Sequence, residues 1–141
     1  LRPTGSTATV LGMRAFLAVL TFAIFTTLAF AVDEPAKDAP VKIEEAEKLI
    51  ADGVQLLDVR TQEEWDAGHL KGAKQVDFTA DGFIEKAKAA MDPKKPVLVY
   101  CRSGGRSAKA TKALRDAGFT AVHDMAGGIT AWQKAGKPVE K

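Results

Sequence analysis

Apolar and polar positions divide the chain into short units that alternate between two periods. "VQLLDV" (Val54 to Val59) and "PVLVY" (Pro96 to Tyr100) are unbroken apolar runs of strand length, suited to strands buried on both faces. "GAKQVDF" from Gly72 and "FTAVHDM" from Phe119 hold two further short strands. Helical spacing fills the gaps. "VKIEEAEKLIADG" sets Ala46, Leu49 and Ile50 on one face, with Gly53 as its stop. "QEEWDA" follows a Thr61–Glu64 capping box and ends at Gly68. "DGFIEKAKAAM" is closed by Asp92-Pro93. "SAKATKALRDAG" places Ala110, Ala113, Leu114 and Ala117 together, and "GGITAWQKAG" forms a last short helix opened by two glycines. Strands alternating with helices predict an α/β domain built on a parallel sheet covered by helices on both faces.

The region before Val32 follows neither period. Met13-Arg14 precedes "AFLAVLTFAIFTTLAFA", an apolar run of 17 residues ending in Ala-Phe-Ala. A basic start, an apolar centre and small residues before a polar stretch predict a signal peptide over 13–31, cleaved after Ala31. The alternative is an uncleaved membrane anchor, since roughly 17–25 apolar residues can span a bilayer. Residues 1–12 precede the methionine and are set aside as an upstream extension. "VDEPAKDAP" (32–40) is a tether, 41–136 the domain and 137–141 a C-terminal tail. The chain is therefore expected to be periplasmic or secreted, with no membrane contact after cleavage.

Cleavage changes the charge. All 18 acidic residues lie after Ala31, whereas Arg2 and Arg14 lie before it. The mature chain is then formally neutral, and nothing in its charge favours nucleic acid as a partner. A neutral domain of this size, with a single core, is expected to be a monomer.

The only cysteine, Cys101, follows the clearest strand and precedes the clearest helix, in "CRSGGRS". Ligands of open α/β sheets bind beyond the carboxyl ends of the strands. Gly104 and Gly105 free the backbone to converge its N–H groups on one point, and the helix start adds more. Arg102 and Arg106 bring fixed positive charge and forked donors. Ser107 is placed as the helix N-cap or as a hydroxyl donor into the loop. Such surroundings lower a thiol's pKa, so the loop predicts an ionised Cys101 inside an anion pocket.

"CRSGGRS" resembles the active-site loop of the rhodanese (sulfurtransferase) superfamily. "LLDVRTQEEWDAGHLKGA" (Leu56 to Ala73) resembles its upstream signature and "GGITAW" (Gly127 to Trp132) its C-terminal one. The resemblance spans roughly Val41 to Gly136 and implies a rhodanese-like fold with a central parallel sheet of about five strands. It also implies sulfur transfer from thiosulfate or a similar small anionic donor to a thiophilic acceptor, cyanide or a thiol, through a Cys101 persulfide. Cys101 matches the nucleophile; Arg102, Ser103, Gly104, Gly105, Arg106 and Ser107 match the substrate-binding cradle. No cofactor is implied. With no second cysteine to resolve the persulfide, the acceptor must be external, and a sulfur-accepting protein is among the candidates.

Phosphatases and arsenate reductases of the same fold resemble this pattern with a loop one residue longer. The four residues between Cys101 and Arg106 therefore favour sulfur chemistry. A sulfur carrier or sensory module that turns over poorly alone is the other alternative. Asp58 and Arg60, just past a strand on the same sheet end, are candidates to support the cysteine loop from behind without touching substrate, and Arg60 is expected to pair with Glu64. His69 and His123 are expected to be structural, and Trp65 and Trp132 packing residues. Lys109 and Lys112 are assigned to a solvated helix face. One cysteine and two distant histidines give no metal-ligand spacing, so no metal is expected.

Overall fold

The structure is a computed structural model and describes residues 38–141. The expected upstream extension, the signal peptide and residues 32–37 of the tether lie outside the described residues. Helix α1 (Ile43–Ala51) leads into β1 (Gln55–Asp58), α2 (Gln62–Asp66) and β2 (Lys74–Gln75). Then come α3 (Phe83–Ala90), β3 (Val97–Tyr100), α4 (Gly105–Asp116), β4 (Val122–Asp124) and α5 (Gly128–Lys134). Among the described residues no helix is long and apolar enough to cross a membrane.

The strands form one sheet in the order β2-β1-β3-β4, every pair parallel. Parallel strands need helical crossovers, which cover both faces and demand side chains that are apolar on each. The two central strands meet that demand. Leu57, Val59, Val97, Val99 and Cys101 pack with Phe83, Ala87, Ala110 and Leu114 of α3 and α4. Leu56, Leu98 and Tyr100 point the other way, joining Ala46, Ile129 and Trp132 of α1 and α5.

The sheet has four strands, not five. The further edge is a single parallel bridge, Val41 to Met125. Val41 donates its N–H to Asp124 O at 2.7 Å, and its carbonyl accepts from Ala126 N at 2.9 Å. Pro40 has no N–H to extend the ladder backwards, and α1 starts two residues after Val41.

The end of β1 is held by a buried ion pair. Asp58 is fully buried and Arg60 is 5% exposed. Arg60 Nη2 meets Asp58 Oδ2 at 2.6 Å, and Nε reaches Oδ1 at 2.9 Å. Nη2 also donates to the Gly68 carbonyl at 2.7 Å, and the guanidinium lies 5.6 Å from the centroid of the Tyr100 ring. Tyr100 Oη accepts from Leu70 N at 3.1 Å. Burial, with Asp58 nearby, pushes the Tyr100 phenol well above its ordinary range, so it stays neutral.

The expected Arg60–Glu64 pair is not formed. Extended backbone puts residues two apart on one side, so Arg60 turns back to the carboxylate of Asp58, which cannot remain buried without a cation. The pair ties β1 to the Gly68–Leu70 turn. Asp58→Ala would leave Arg60 buried and uncompensated, and should cost roughly 3–5 kcal/mol of stability in urea unfolding.

Candidate active site

Cys101 is the first residue beyond β3. Its residue is only 1% exposed, so the sulfur is accessible only to a small or slender reactant. Gly104 donates its N–H to Sγ at 3.1 Å. Burial pushes the thiol pKa up, but the Ser107 hydroxyl and the N–H groups of Ser107, Gly104 and Ser103 together pull it below its ordinary value. Hydrogen bonds to the ionised form outweigh desolvation here.

The loop is shorter than its sequence suggests. Helix α4 begins at Gly105, with Gly104 as N-cap at φ 109°, a conformation that favours glycine. Arg106 and Ser107 therefore lie inside the first turn, and Ser107 is a donor rather than the N-cap. Its hydroxyl also lies 3.2 Å from Gly104 O. The N–H groups of a helical first turn have no intrahelical partners, and here the sulfur receives some of them.

Helix α5 holds the loop from outside. Ile129 N donates to Cys101 O at 2.9 Å and Thr130 N to Arg102 O at 3.1 Å. This contact explains the glycine pair of "GGITAW". Gly128 sits at φ 58°, and a Cβ there would lie 2.4 Å from Cys101 O and 2.7 Å from Arg102 C and O. Backbone occupies the space where a side chain would stand.

The two loop arginines have different surroundings. Arg106 donates Nη1 and Nη2 to the two oxygens of Glu64, each at 2.7 Å. Those hydrogen bonds, opposed by partial burial and aided by Thr61, hold the Glu64 carboxyl at about 2. Glu64 also closes the expected capping box, accepting from Thr61 N at 3.1 Å. One carboxylate thus starts α2 and anchors α4. Arg102 has no ion-pair partner among the described residues and lines a cavity of about 310 Å³, together with Arg60, Glu64, Gly68, Thr130 and Gln133.

The remaining candidates are tied elsewhere. The His69 ring stacks on Trp65 with centroids 3.6 Å apart, and its Nδ1 lies 3.2 Å from Trp65 O. Its backbone exchanges two 2.8 Å hydrogen bonds with Glu140, so the last residues fold back onto the turn after α2. Trp132 is buried and donates Nε1 to Pro138 O at 2.9 Å. His123 lies within β4. Lys112 pairs with Asp116 along α4 at 2.7 Å, and Lys109 is exposed. Among the described residues no group of three or more His, Cys, Asp or Glu could hold a metal ion. Glu64 and the α5 clamp were missed as site elements. The "GGITAW" motif was the available signal for the clamp, and the capping box located Glu64 without revealing its second partner.

A parallel α/β sheet with a hydrogen-bonded thiol at a strand end defines the class of domain to which the chain is compared. The model of the Rhodanese-like domain matches residues 42–135, and the chain belongs to that family. It is 38% identical over 117 residues to Arabidopsis thaliana thiosulfate sulfurtransferase 16, chloroplastic, covering 77% of this chain and 98% of that one. Thiosulfate sulfurtransferase 18 of the same plant is 37% identical over 110 residues, covering 70% and 81%. Among solved structures, a rhodanese-related protein from Thermoplasma volcanium superposes with a TM-score of 0.63 at 25% identity, covering 72% of this chain and 96% of that one.

Two substitutions test this geometry. Gly128→Ala should push α5 off the loop and raise the pKa of Cys101, measured by the pH dependence of its alkylation. Glu64→Gln should cost roughly 1 kcal/mol at neutral pH, the upper end for a partly exposed pair. Because the folded-state carboxyl lies below its unfolded value, the wild-type advantage should be fully present above about pH 4.5 and lost as pH falls toward about 2. Urea midpoints of the two proteins across that range would show the convergence.

Proposed function

We propose that the domain is a sulfurtransferase of the thiosulfate type, with Cys101 as nucleophile. The observation that carries this reading is the ring of hydrogen-bond donors around Sγ: Gly104 N at 3.1 Å, with Ser103 N, Ser107 N and the Ser107 hydroxyl beside it. Donors aimed at one sulfur stabilise a thiolate and would equally stabilise the persulfide anion that replaces it.

In the proposed first step the Cys101 thiolate attacks the outer sulfur of thiosulfate. A new S–S bond forms, and sulfite leaves with the electron pair of the bond that breaks. In the second, an acceptor thiolate or cyanide attacks the terminal sulfur of the persulfide and Cys101 departs as thiolate. Arg102, which has no ion-pair partner among the described residues and lines the cavity, is assigned to the anionic donor. Arg106, occupied by Glu64, contributes its positive charge near Cys101 and the fixing of the first turn of α4. Ser103, Gly104, Gly105 and Ser107 supply the cradle. Asp58 and Arg60 support the floor of the cavity rather than touching substrate.

The relatives named as thiosulfate sulfurtransferases support the donor. The loop supports sulfur chemistry over phosphoryl transfer, since four residues between Cys101 and Arg106 leave less room for a tetrahedral oxyanion. The leader-like segment supports an exported protein, and the absence of a second cysteine supports an external thiol or protein acceptor.

Intact mass measures the whole cycle. Thiosulfate should add one sulfur atom to the purified domain and cyanide should remove it, with no addition in Cys101→Ser. No addition to the wild type would reject thiosulfate as donor and favour a carrier loaded by a partner protein. Arg102→Ala should raise KM for thiosulfate roughly tenfold or more, as expected for loss of a charge-assisted contact, with a smaller effect on kcat.

A further inference from the structure

Residues 137–141, set apart as a tail by the sequence, are built into the domain. Beyond α5, Lys137 N donates to Trp132 O at 3.2 Å, and the buried Trp132 indole donates Nε1 to Pro138 O at 2.9 Å. A buried indole N–H requires an acceptor, so Pro138 is drawn against α5. Two residues on, Glu140 pairs antiparallel with His69, each donating its N–H to the other's carbonyl at 2.8 Å. Glu140 Oε1 also lies 3.7 Å from His69 Nε2. Between these anchors, Val139 Cγ2 lies 3.6 Å from where a Cβ on Gly68 would stand, so the strap approaches the turn where glycine has no side chain. Lys137 also reaches Glu47 of α1 at 2.6 Å, but a partly exposed pair of this kind holds little.

The two anchors belong to two walls of one cavity. Gln133, next to Trp132 on α5, lines the cavity of about 310 Å³ together with Ile129 and Thr130. Ala67 and Gly68, just before His69, line it from the end of α2, and Arg102 lines it from the cysteine loop. Residues 137–141 are not among the lining, so the strap joins the walls from outside the cavity. Each wall has its own fastening to the sheet end. Ile129 N holds Cys101 O at 2.9 Å, and Arg60 Nη2 holds Gly68 O at 2.7 Å. The strap spans the interval between those fastenings with hydrogen bonds at each end. Val139 is 37% exposed, and the Glu140 side chain 46%. A short, exposed segment with few hydrogen bonds belongs to the low end of local stability, where a single lost bond matters.

We infer that residues 137–141 form a clasp that fixes the spacing of these two walls and so determines how bulky a reactant reaches Cys101. Pro138, Val139 and Glu140 are specificity-determining residues that touch neither the sulfur nor a substrate. The cavity adjoins the sulfur through Arg102 and through Ile129, whose N–H bonds to Cys101 O. With the clasp closed it admits a compact reactant, a small anion or a slender thiol, and excludes a reactive group carried on a large ring system. Cys101 is 1% exposed, so a modest change in wall spacing decides access. The N–H that meets Sγ comes from Gly104, at the start of α4, and the strap's contacts lie on α1, α5 and the turn after α2. Loosening the clasp therefore changes the size limit and leaves the intrinsic reactivity of the thiol in place.

The clasp's bearing on sulfur transfer rests on the reading of Cys101 as nucleophile, but alkylation tests it without a sulfur donor. Cys101 is the only cysteine in the chain. Its alkylation rates by iodoacetamide and by an iodoacetamide carrying a naphthalene fluorophore are measured at one pH. The electrophile is the same, so the ratio of the rates cancels thiol ionisation and reads bulk. The urea-unfolded chain supplies the reference ratio. The folded wild type should disfavour the bulky reagent roughly tenfold or more against that reference, as a gated site does. Glu140→Pro removes the N–H that donates to His69 O. It should cut the discrimination to about a third or less, with the iodoacetamide rate changed by less than about twofold. Glu140→Gln keeps that N–H and should retain the wild-type ratio; an equal loss there would assign the effect to the carboxylate and reject a clasp made by the backbone. Trp132→Phe removes the donor to Pro138 O, should act like Glu140→Pro, and decides if that variant fails to fold. A folded wild type with the unfolded ratio overturns the inference. So does an unchanged ratio in Glu140→Pro, including one in which both rates shift together through altered thiol reactivity. Failure of sulfur loading with these ratios as expected would count instead against the proposed transfer reaction.

Discussion

The structure around Cys101 depends on two hydrogen bonds that never touch the sulfur. Ile129 and Thr130 take the carbonyls of Cys101 and Arg102. A trans peptide points its C=O and its N–H in opposite directions. Drawing the Arg102 carbonyl outward toward α5 therefore turns the Ser103 N–H inward, where it helps to ionise the thiol. The start of α4 supplies the remaining donors from the other side. Two helix N-termini from different parts of the chain thus orient one short loop between them.

The charged residues form a second layer around that loop. Glu64 closes the first turn of α2 and grips Arg106 in the first turn of α4. Asp58 and Arg60 join the end of β1 to the turn at Gly68. Both pairs lie where strands end and helices begin, so each fixes the relative placement of elements that carry the cavity wall. Arg102 is left out of these pairings among the described residues, and it lines the cavity.

Much of this was legible in the sequence because it is local. The Thr61–Glu64 capping box, the apolar runs of β1 and β3 and the cysteine loop each depend on residues within a few positions of one another. The cap of α4 was placed three residues late because Ser107 looks like a cap by type, whereas Gly104 does the capping through its backbone. Partners distant in sequence were not legible. Glu64 reaches Arg106 across 42 positions, and nothing in either segment names the other. The pairing of Arg60 was misassigned because burial of Asp58, which decides it, is a property of the sheet. The fifth strand shrank to one bridge because Pro40 and the early start of α1 leave no room for a ladder.

The activation of Cys101 is written mainly in the main chain. Three of the four groups that favour its ionisation are peptide N–H groups. Side chains can change without altering them, provided the glycines that shape the backbone remain. Reactivity and selectivity are accordingly separable in this domain. Under the proposed reaction, exchanges at Arg102 or along the cavity wall would redirect the site toward a different sulfur compound while the groups that ionise Cys101 stayed in place, which gives the scaffold room to diversify without passing through an inert intermediate.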